Sequence, residues 1–477
     1  MYMKTLLAVG WGRVKRVWES MGAYELLRGD EEKGIAESNK SIGNGLSTEE
    51  GYGVNGVELV KRHSCGEESV ASKAKGAGQN KRLASLDVFR GLTVALMILV
   101  DDVGGIVPAI SHSPWNGVTL ADFVMPFFLF IVGVSLGLVY KKVPNRVSGT
   151  QKAILRALKL LIVGIVLQGG YFHGINDLTY GVNIEQMRWL GILQRIAFGY
   201  IIAALSEIWL RSNCDMDSSL GLMKKYYMQW LVALILTLLY MGLLYGIYVP
   251  DWQYEVPVIK SSPLDPGYET FTVKCGIRGD VGPACNAVGM IDRYVVGIRH
   301  IYQRPVYRRT KECSVTSPES GPLPPNAPSW CQAPFDPEGI LSSIMAAVTC
   351  FVGLHFGHVL VHFKGHKERM VQWIVPSLGL IMFGCLLDAL GMHLNKSLYT
   401  FSYMCVTSGT AGLLLAGTYL FVDVYGYRCV TKILEWMGMN ALIIYVLAAC
   451  NVFAAALQGF YWRYPEYNII NLLGIKR

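Results

Sequence analysis

SHSPWNGVTLADFVMPFFLFIVGVSLGLVY, residues 111–140, opens with a histidine, a tryptophan and an aspartate and then turns almost wholly apolar. A run of about 20 apolar residues, wound as a helix, matches the hydrocarbon thickness of a bilayer. Polar groups are costly at membrane depth and are usually kept there for a purpose. His112, Trp115 and Asp122 at the mouth of this run therefore mark a candidate site at a membrane boundary.

Similar runs recur along the chain, at about 86–107, 119–140, 153–170, 187–209, 228–249, 338–362, 370–390, 398–422 and 432–456. The expected fold is an all-α polytopic membrane protein with about nine transmembrane helices and one long disulfide-stapled lumenal loop. Only 16% of the residues are charged and 52% are hydrophobic, against about a quarter charged in a soluble chain. The net charge of +8 does not point to nucleic acid, because the Lys and Arg lie between apolar runs rather than on one face. In a membrane protein such charges report topology. KKVPNRVSGTQKAILRALK, HFKGHKERM and YGYRCVTK are basic, and the intervening connections are not. The positive-inside rule puts the basic set and the N-terminus in the cytosol, and His112 on the lumenal or extracellular side.

Five segments follow. Residues 1–80, rich in Gly, Ser, Glu and Lys, read as a disordered cytosolic tail. Residues 81–249 hold transmembrane helices 1–5 and the His112 loop. Residues 250–337 form a Pro- and Gly-rich lumenal insert with no clear periodic helix, a cap or lid over a lumenal site. Residues 338–460 hold helices 6–9, and 461–477 form a C-terminal tail. The insert carries Cys275, Cys285, Cys313 and Cys331. Four cysteines allow three pairings; pairing of neighbours, Cys275 with Cys285 and Cys313 with Cys331, is the expectation. Disulfides there require an oxidising compartment. Asn395-Lys396-Ser397 matches a glycosylation triplet close to a span.

His112 is the candidate catalytic base or nucleophile. Asp101 at the end of the first span, or Asp122 at the start of the second, would fix its tautomer. Trp115, Asn116 and Asp122 are candidate acceptor-binding residues, with an interfacial ring and a turn as the structural alternatives for the first two. Arg90 and Arg156, with Arg195 inside the fourth span, are candidates for holding phosphate, which suits the planar guanidinium fork. Asp292, Arg293 and His300 read equally well as a salt-bridged loop, and Asp336 and Glu338 as acids at a helix start. His355, His358, His362 and His366 form a stripe on one helix, with no Cys or carboxylate nearby to make a metal site. Asn440 and Tyr445 lie within the ninth span.

Several ordered motifs, SLDVFRGLTVALMILVDDVGG, SHSPWNGVTLADFVMPFFLFIVG, LGILQRIAFGY, GMIDRYVVG, FDPEGILSS and GMNALIIYV, together resemble the heparan-alpha-glucosaminide N-acetyltransferase family, and its plant-type members most. The resemblance runs from about Arg82 to Tyr461. It implies acetyl transfer across a membrane, from cytosolic acetyl-CoA to the amino group of a glucosamine-like acceptor in a lysosomal or vacuolar lumen, or outside the plasma membrane. It implies a homodimer and no metal. The family's active-site histidine lies in a His-x-x-Trp-Asn-Gly motif, matched here by His112, Trp115, Asn116 and Gly117. An assisting asparagine of the animal enzymes is matched by Asp101. An aspartate orients or deprotonates an imidazole but is no neutral amide donor, so assistance of this step differs here. The chain is expected to stop, at NIINLLGIKR, short of its relatives. A transporter of a small solute and a silent, shortened homologue are the competing readings.

Overall fold

The computed structural model describes residues 83–104, 110–141, 145–168, 187–211, 219–258, 267–319 and 321–450. The tails expected at 1–80 and 461–477 lie outside the described residues.

The chain runs through α1 (Ala84–Val103), α2 (Leu120–Val139), α3 (Arg146–Gln168), α4 (Ile192–Trp209), a short α5 (Ser219–Lys225) and α6 (Tyr227–Gly246). The insert then contributes β1 (Trp252–Val258), β2 (Gly267–Val273) and α7 (Ala287–Val295). The chain returns through α8 (Ile340–His362), α9 (His366–Ala389), α10 (Phe401–Tyr419), α11 (Arg428–Met439) and α12 (Ala441–Ala449). Among the described residues, six helices are long and apolar enough to cross a membrane: α2, α4, α6, α8, α9 and α10 with its extension to Val424. A seventh span is counted if α11 and α12, bent by 69° to each other, are one. The bend falls at Asn440, so the run expected as a ninth span is broken there. Helices also occupy two other expected spans, but α1 carries Asp87, Arg90, Asp101 and Asp102, and α3 carries Arg146, Lys152, Arg156 and Lys159.

The bundle is built round α8, most of which is buried, with α2, α4 and α10 against it and α6 and α9 outside. Outer faces such as Val371, Val375 and Met382 of α9 are exposed, as expected where lipid is the solvent. Close packing of α2 on α8 depends on small residues. A Cβ on Gly133 would lie 2.1 Å from the Cys350 carbonyl oxygen, and one on Gly353 would lie 2.1 Å from that of Phe130. Gly133/Gly137 and Gly353/Gly357 are thus two glycine pairs at four-residue spacing facing each other, the packing that brings membrane helices into backbone contact.

Pro126 lies inside α2 and has no N–H to give to the carbonyl four residues back. That carbonyl belongs to Asp122, and the buried Tyr403 hydroxyl of α10 donates to it instead. The cost of a proline in a membrane helix is offset by a neighbouring side chain.

The insert is not the irregular loop that was expected. β1 and β2 pair antiparallel, Tyr254 opposite Phe271. In β1, Trp252, Tyr254 and Val256 turn towards the protein while Gln253 and Glu255 are exposed, the period-2 pattern of a half-buried strand. The all-α expectation is corrected to that extent. The disulfides are Cys275–Cys285 and Cys313–Cys331, the neighbour pairing. Arg293 of α7 lies over the Trp252 ring at 3.7 Å, and Asp292 Oδ1 accepts the Ile340 N–H at 2.8 Å, capping α8.

Candidate active site

The loop between α1 and α2 is held by one carboxylate. Asp122, fully buried in the first turn of α2, accepts at Oδ2 from the backbone of Ser113 (3.2 Å) and Thr119 (3.0 Å) and from the Thr119 hydroxyl (3.0 Å). Its other oxygen lies 2.8 Å from His112 Nδ1. A carboxylate only accepts, so Nδ1 carries the proton and Nε2 keeps its lone pair. The His112 side chain is 35% exposed. Its backbone carbonyl accepts from Arg309 Nη1 of the insert at 3.2 Å.

A second loop, between α9 and α10, closes on this one. Gly117 N–H donates to the Leu394 carbonyl at 2.8 Å, and Asn395 Nδ2 reaches Asn116 Oδ1 at 3.4 Å. Asn395 is 1% exposed and its Oδ1 accepts from Leu398. The glycosylation triplet is thus built into the loop contact. Its middle residue brings the unexpected group. Lys396 Nζ lies 2.9 Å from His112 Nδ1, 3.2 Å from Nε2 and 3.6 Å from Asp122 Oδ1.

Beyond the lysine, Arg188 spans Asp336, at 2.6 and 2.8 Å, and Glu338. Arg195, buried in the first turn of α4, donates to the Pro337 carbonyl at 2.6 Å and to Ser342 at the start of α8. Burial, and then the Lys396 charge, hold His112 below the ordinary imidazole range against the opposing pull of Asp122. Burial also lowers Lys396, opposed by Asp122 and Glu338. Burial pushes Glu338 up, but the charges of Arg188, Arg195 and Lys396 override it and hold it low. A neutral imidazole with one nitrogen fixed by a carboxylate is a base or nucleophile ready at neutral pH.

The expected residues are divided. His112 and Asp122 are paired. Asp101, exposed in the last turn of α1, lies within electrostatic reach of Tyr445, which also feels Glu338 and Arg188. Trp115 is 9% exposed; its Nε1 donates to the Val281 carbonyl, and its ring packs edge-on against Tyr307 and Phe335. That ring anchors the insert. Asn116 is an exposed turn residue, its carbonyl accepting from Ser113 Oγ. Arg195 does not meet the other two arginines. Arg90 bonds Asp87 and Ser135 near the far end of α2, about 20 Å along the helix from Asp122. Arg156 is half-buried within electrostatic reach of Tyr140, also at that end. Arg195 is at the His112 end.

The histidine stripe is divided as well, because α8 ends at His362 and His366 begins α9. His358 Nε2 lies 2.9 Å from Glu207 Oε2 and its ring stacks on Tyr226 at 3.6 Å. His362 Nε2 contacts the Tyr226 hydroxyl at 3.1 Å. Among the described residues, no three His, Cys, Asp or Glu side chains are grouped to hold a metal. In the sequence Glu338 is a helix-start acid and Lys396 the middle of the triplet; Lys396 lies 284 residues from His112, so only the fold brings them together.

Residues 82–254, which run from α1 into β1 and contain His112 and Asp122, match the sequence model of one family, "Heparan-alpha-glucosaminide N-acetyltransferase, catalytic". Two curated proteins named heparan-alpha-glucosaminide N-acetyltransferase align over most of the chain: the mouse protein, 28% identical over 386 residues, and the human protein, 30% identical over 389. The chain is similar to these proteins along most of its own length. Each alignment covers 76% of this chain, and 53% of the mouse and 52% of the human protein. The chain thus spans about half the length of the heparan-alpha-glucosaminide N-acetyltransferases it matches. Lys396 and Glu338 lie beyond the family match.

Proposed function

We propose that the chain is a transmembrane acetyltransferase that moves the acetyl group of acetyl-CoA to the amino group of a glucosamine-like acceptor on the other side of a lysosomal, vacuolar or plasma membrane. The observation that carries this reading is the 2.8 Å contact of His112 Nδ1 with Asp122 Oδ1 in the segment that matches the family's catalytic region. Nine spans, with α1 and α3 among them, and a cytosolic N-terminus belong to the same reading. The distribution of charge supports it. Lys141, Arg211 and Lys225 lie within electrostatic reach of His362, at the end of α8 away from His112, and Arg146 lies over Trp209 at the end of α4, whereas both disulfides lie in the insert tethered to His112 by Arg309.

His112 Nε2 either takes the proton of the attacking amine or carries the acetyl group between two steps; Asp122 holds the ring and stabilises the imidazolium formed. Asp101 and Glu338, within reach of Tyr445, supply negative charge for an ammonium acceptor. The polyanionic end of acetyl-CoA suits the opposite, basic end, where Arg156 and Arg90 are the candidate phosphate partners. Arg195, already bonded to Pro337 and Ser342, is assigned instead to holding the start of α8. The test is acceptor-dependent release of free CoA thiol by purified protein in detergent. Thiol release that rises with glucosamine supports the transferase. Solute movement in sealed vesicles without thiol release supports a transporter, and neither supports a silent homologue.

A further inference from the structure

In this structure the chain supplies an amine of its own to the candidate catalytic histidine. Lys396 Nζ is 2.9 and 3.2 Å from the two ring nitrogens of His112. Contact with both at once puts Nζ over the ring rather than on either lone pair. Nδ1 is already committed to Asp122, so the contact is not an ordinary hydrogen bond from an ammonium to an imidazole. The Lys396 side chain is 18% exposed and is held by a loop whose Asn395 and Leu394 are bonded to the His112 loop. Its charge interacts with Asp122, Glu338 and Arg195. Of these, Glu338 is also one of the two carboxylates assigned to an acceptor's ammonium. Nζ therefore lies beside His112 and within electrostatic reach of Glu338, the surroundings assigned to the acceptor nitrogen.

We propose that Lys396 is a self-acetylation site, modified when acetyl-CoA is present and no acceptor amine has displaced its side chain. The proposal rests on the transferase reading. The Lys396 amine attacks the thioester carbonyl carbon, a C–N bond forms and the C–S bond breaks with its electron pair leaving on sulfur. A rotation of the Lys396 side chain brings Nζ from over the ring into its plane at Nε2, 3.2 Å away; the amine proton then passes to His112 Nε2 and from there to the thiolate, giving CoA thiol and an ε-amide, and nothing is oxidised or reduced. Burial lowers the Lys396 pKa, which raises the fraction present as free amine. The product is a dead end, because an amide does not return its acetyl group as a thioester does, and it removes the cation beside His112.

The experiment incubates the full-length protein in detergent with radiolabelled acetyl-CoA, with and without glucosamine, and maps the label by peptide mass spectrometry. The expected result is a hydroxylamine-stable label on Lys396, well above that on the exposed Lys224 and Lys367. It should fall at least ~10-fold in His112→Ala and in the less disruptive His112→Gln, and also fall when glucosamine is added to the unaltered protein. Lys396→Arg should remove the label without a new one appearing nearby. An unmodified Lys396, or one labelled no more than Lys224, in protein that releases CoA thiol with glucosamine overturns the proposal and leaves the transferase reading intact. Absence of both label and thiol release overturns the two together.

Discussion

Asp122 Oδ1 lies 2.8 Å from His112 Nδ1, and the same carboxylate binds the backbone of Ser113, next to the histidine, and of Thr119, just before α2. One side chain thus sets the tautomer of the ring and the position of its main chain. Asp122→Asn keeps the size and one acceptor oxygen but removes the charge that stabilises an imidazolium. The expected outcome is a fall in kcat of about 10²–10⁴-fold with KM little changed, since positioned proton transfer contributes on that scale. Initial rates of thiol release at varied glucosamine check it; a loss in KM alone would assign Asp122 to acceptor binding.

The Lys396 charge, after burial, is the second force holding His112 below its ordinary range. Activity that needs neutral His112 is present above its pKa and lost as pH falls through it. Lys396→Gln removes the cation and leaves Asp122, so the His112 pKa rises and the acidic limb of kcat/KM moves to higher pH. A pH–rate profile of the two proteins measures the displacement. A limb that stays in place, or moves to lower pH, contradicts the electrostatic assignment.

Tyr403→Phe tests the repair of the proline gap. The Asp122 carbonyl, which Pro126 leaves without an intrahelical donor, would lose the Tyr403 hydroxyl. The expected cost is about 0.5–2 kcal/mol, read as a lower melting temperature in detergent, and activity should fall as the first turn of α2 loosens. An unchanged melting temperature would mean that another donor takes over.

Much of this was legible in the sequence, and the misreadings have physical causes. The apolar runs fall where helices form, because hydrocarbon leaves the backbone no partner but itself. Asn440 lies inside such a run, and composition alone does not reveal a 69° break there. His112 and Asp122 stand ten residues apart on one loop and helix start, so their pairing lay within local reach. Lys396 did not, because a contact 284 residues apart depends on how two loops meet. WQYEVPV alternates as a half-buried strand does, but the Pro and Gly around it make the insert read as irregular. Arg195 was grouped with Arg90 because both are cations in apolar runs; its place in the first turn of α4 puts it at the other end of the bundle.

Asp292 gives the insert a pH dependence. Burial raises its pKa to about 7, from an ordinary value of 3.8. A raised folded pKa contributes stability that is whole below about pH 4 and is lost as pH rises towards 7, by up to about 1.4 kcal/mol per unit. The contribution of Asp292 alone should therefore favour the fold in an acidic compartment over neutral pH. Asp292→Asn, which keeps an oxygen for the Ile340 N–H, should flatten this dependence and raise the melting temperature at pH 7.5 relative to the unaltered chain. Thermal unfolding of both proteins at pH 4.5 and 7.5 decides it; an equal slope in the two removes Asp292 as the cause.

The central claim is that His112 performs the acetyl transfer. The direct measurement is glucosamine-dependent release of CoA thiol from acetyl-CoA by the purified protein and by His112→Ala, each shown to be monodisperse in detergent. The account predicts turnover in the first and a loss of at least ~10²-fold in the second. Equal turnover in the two proteins would contradict it.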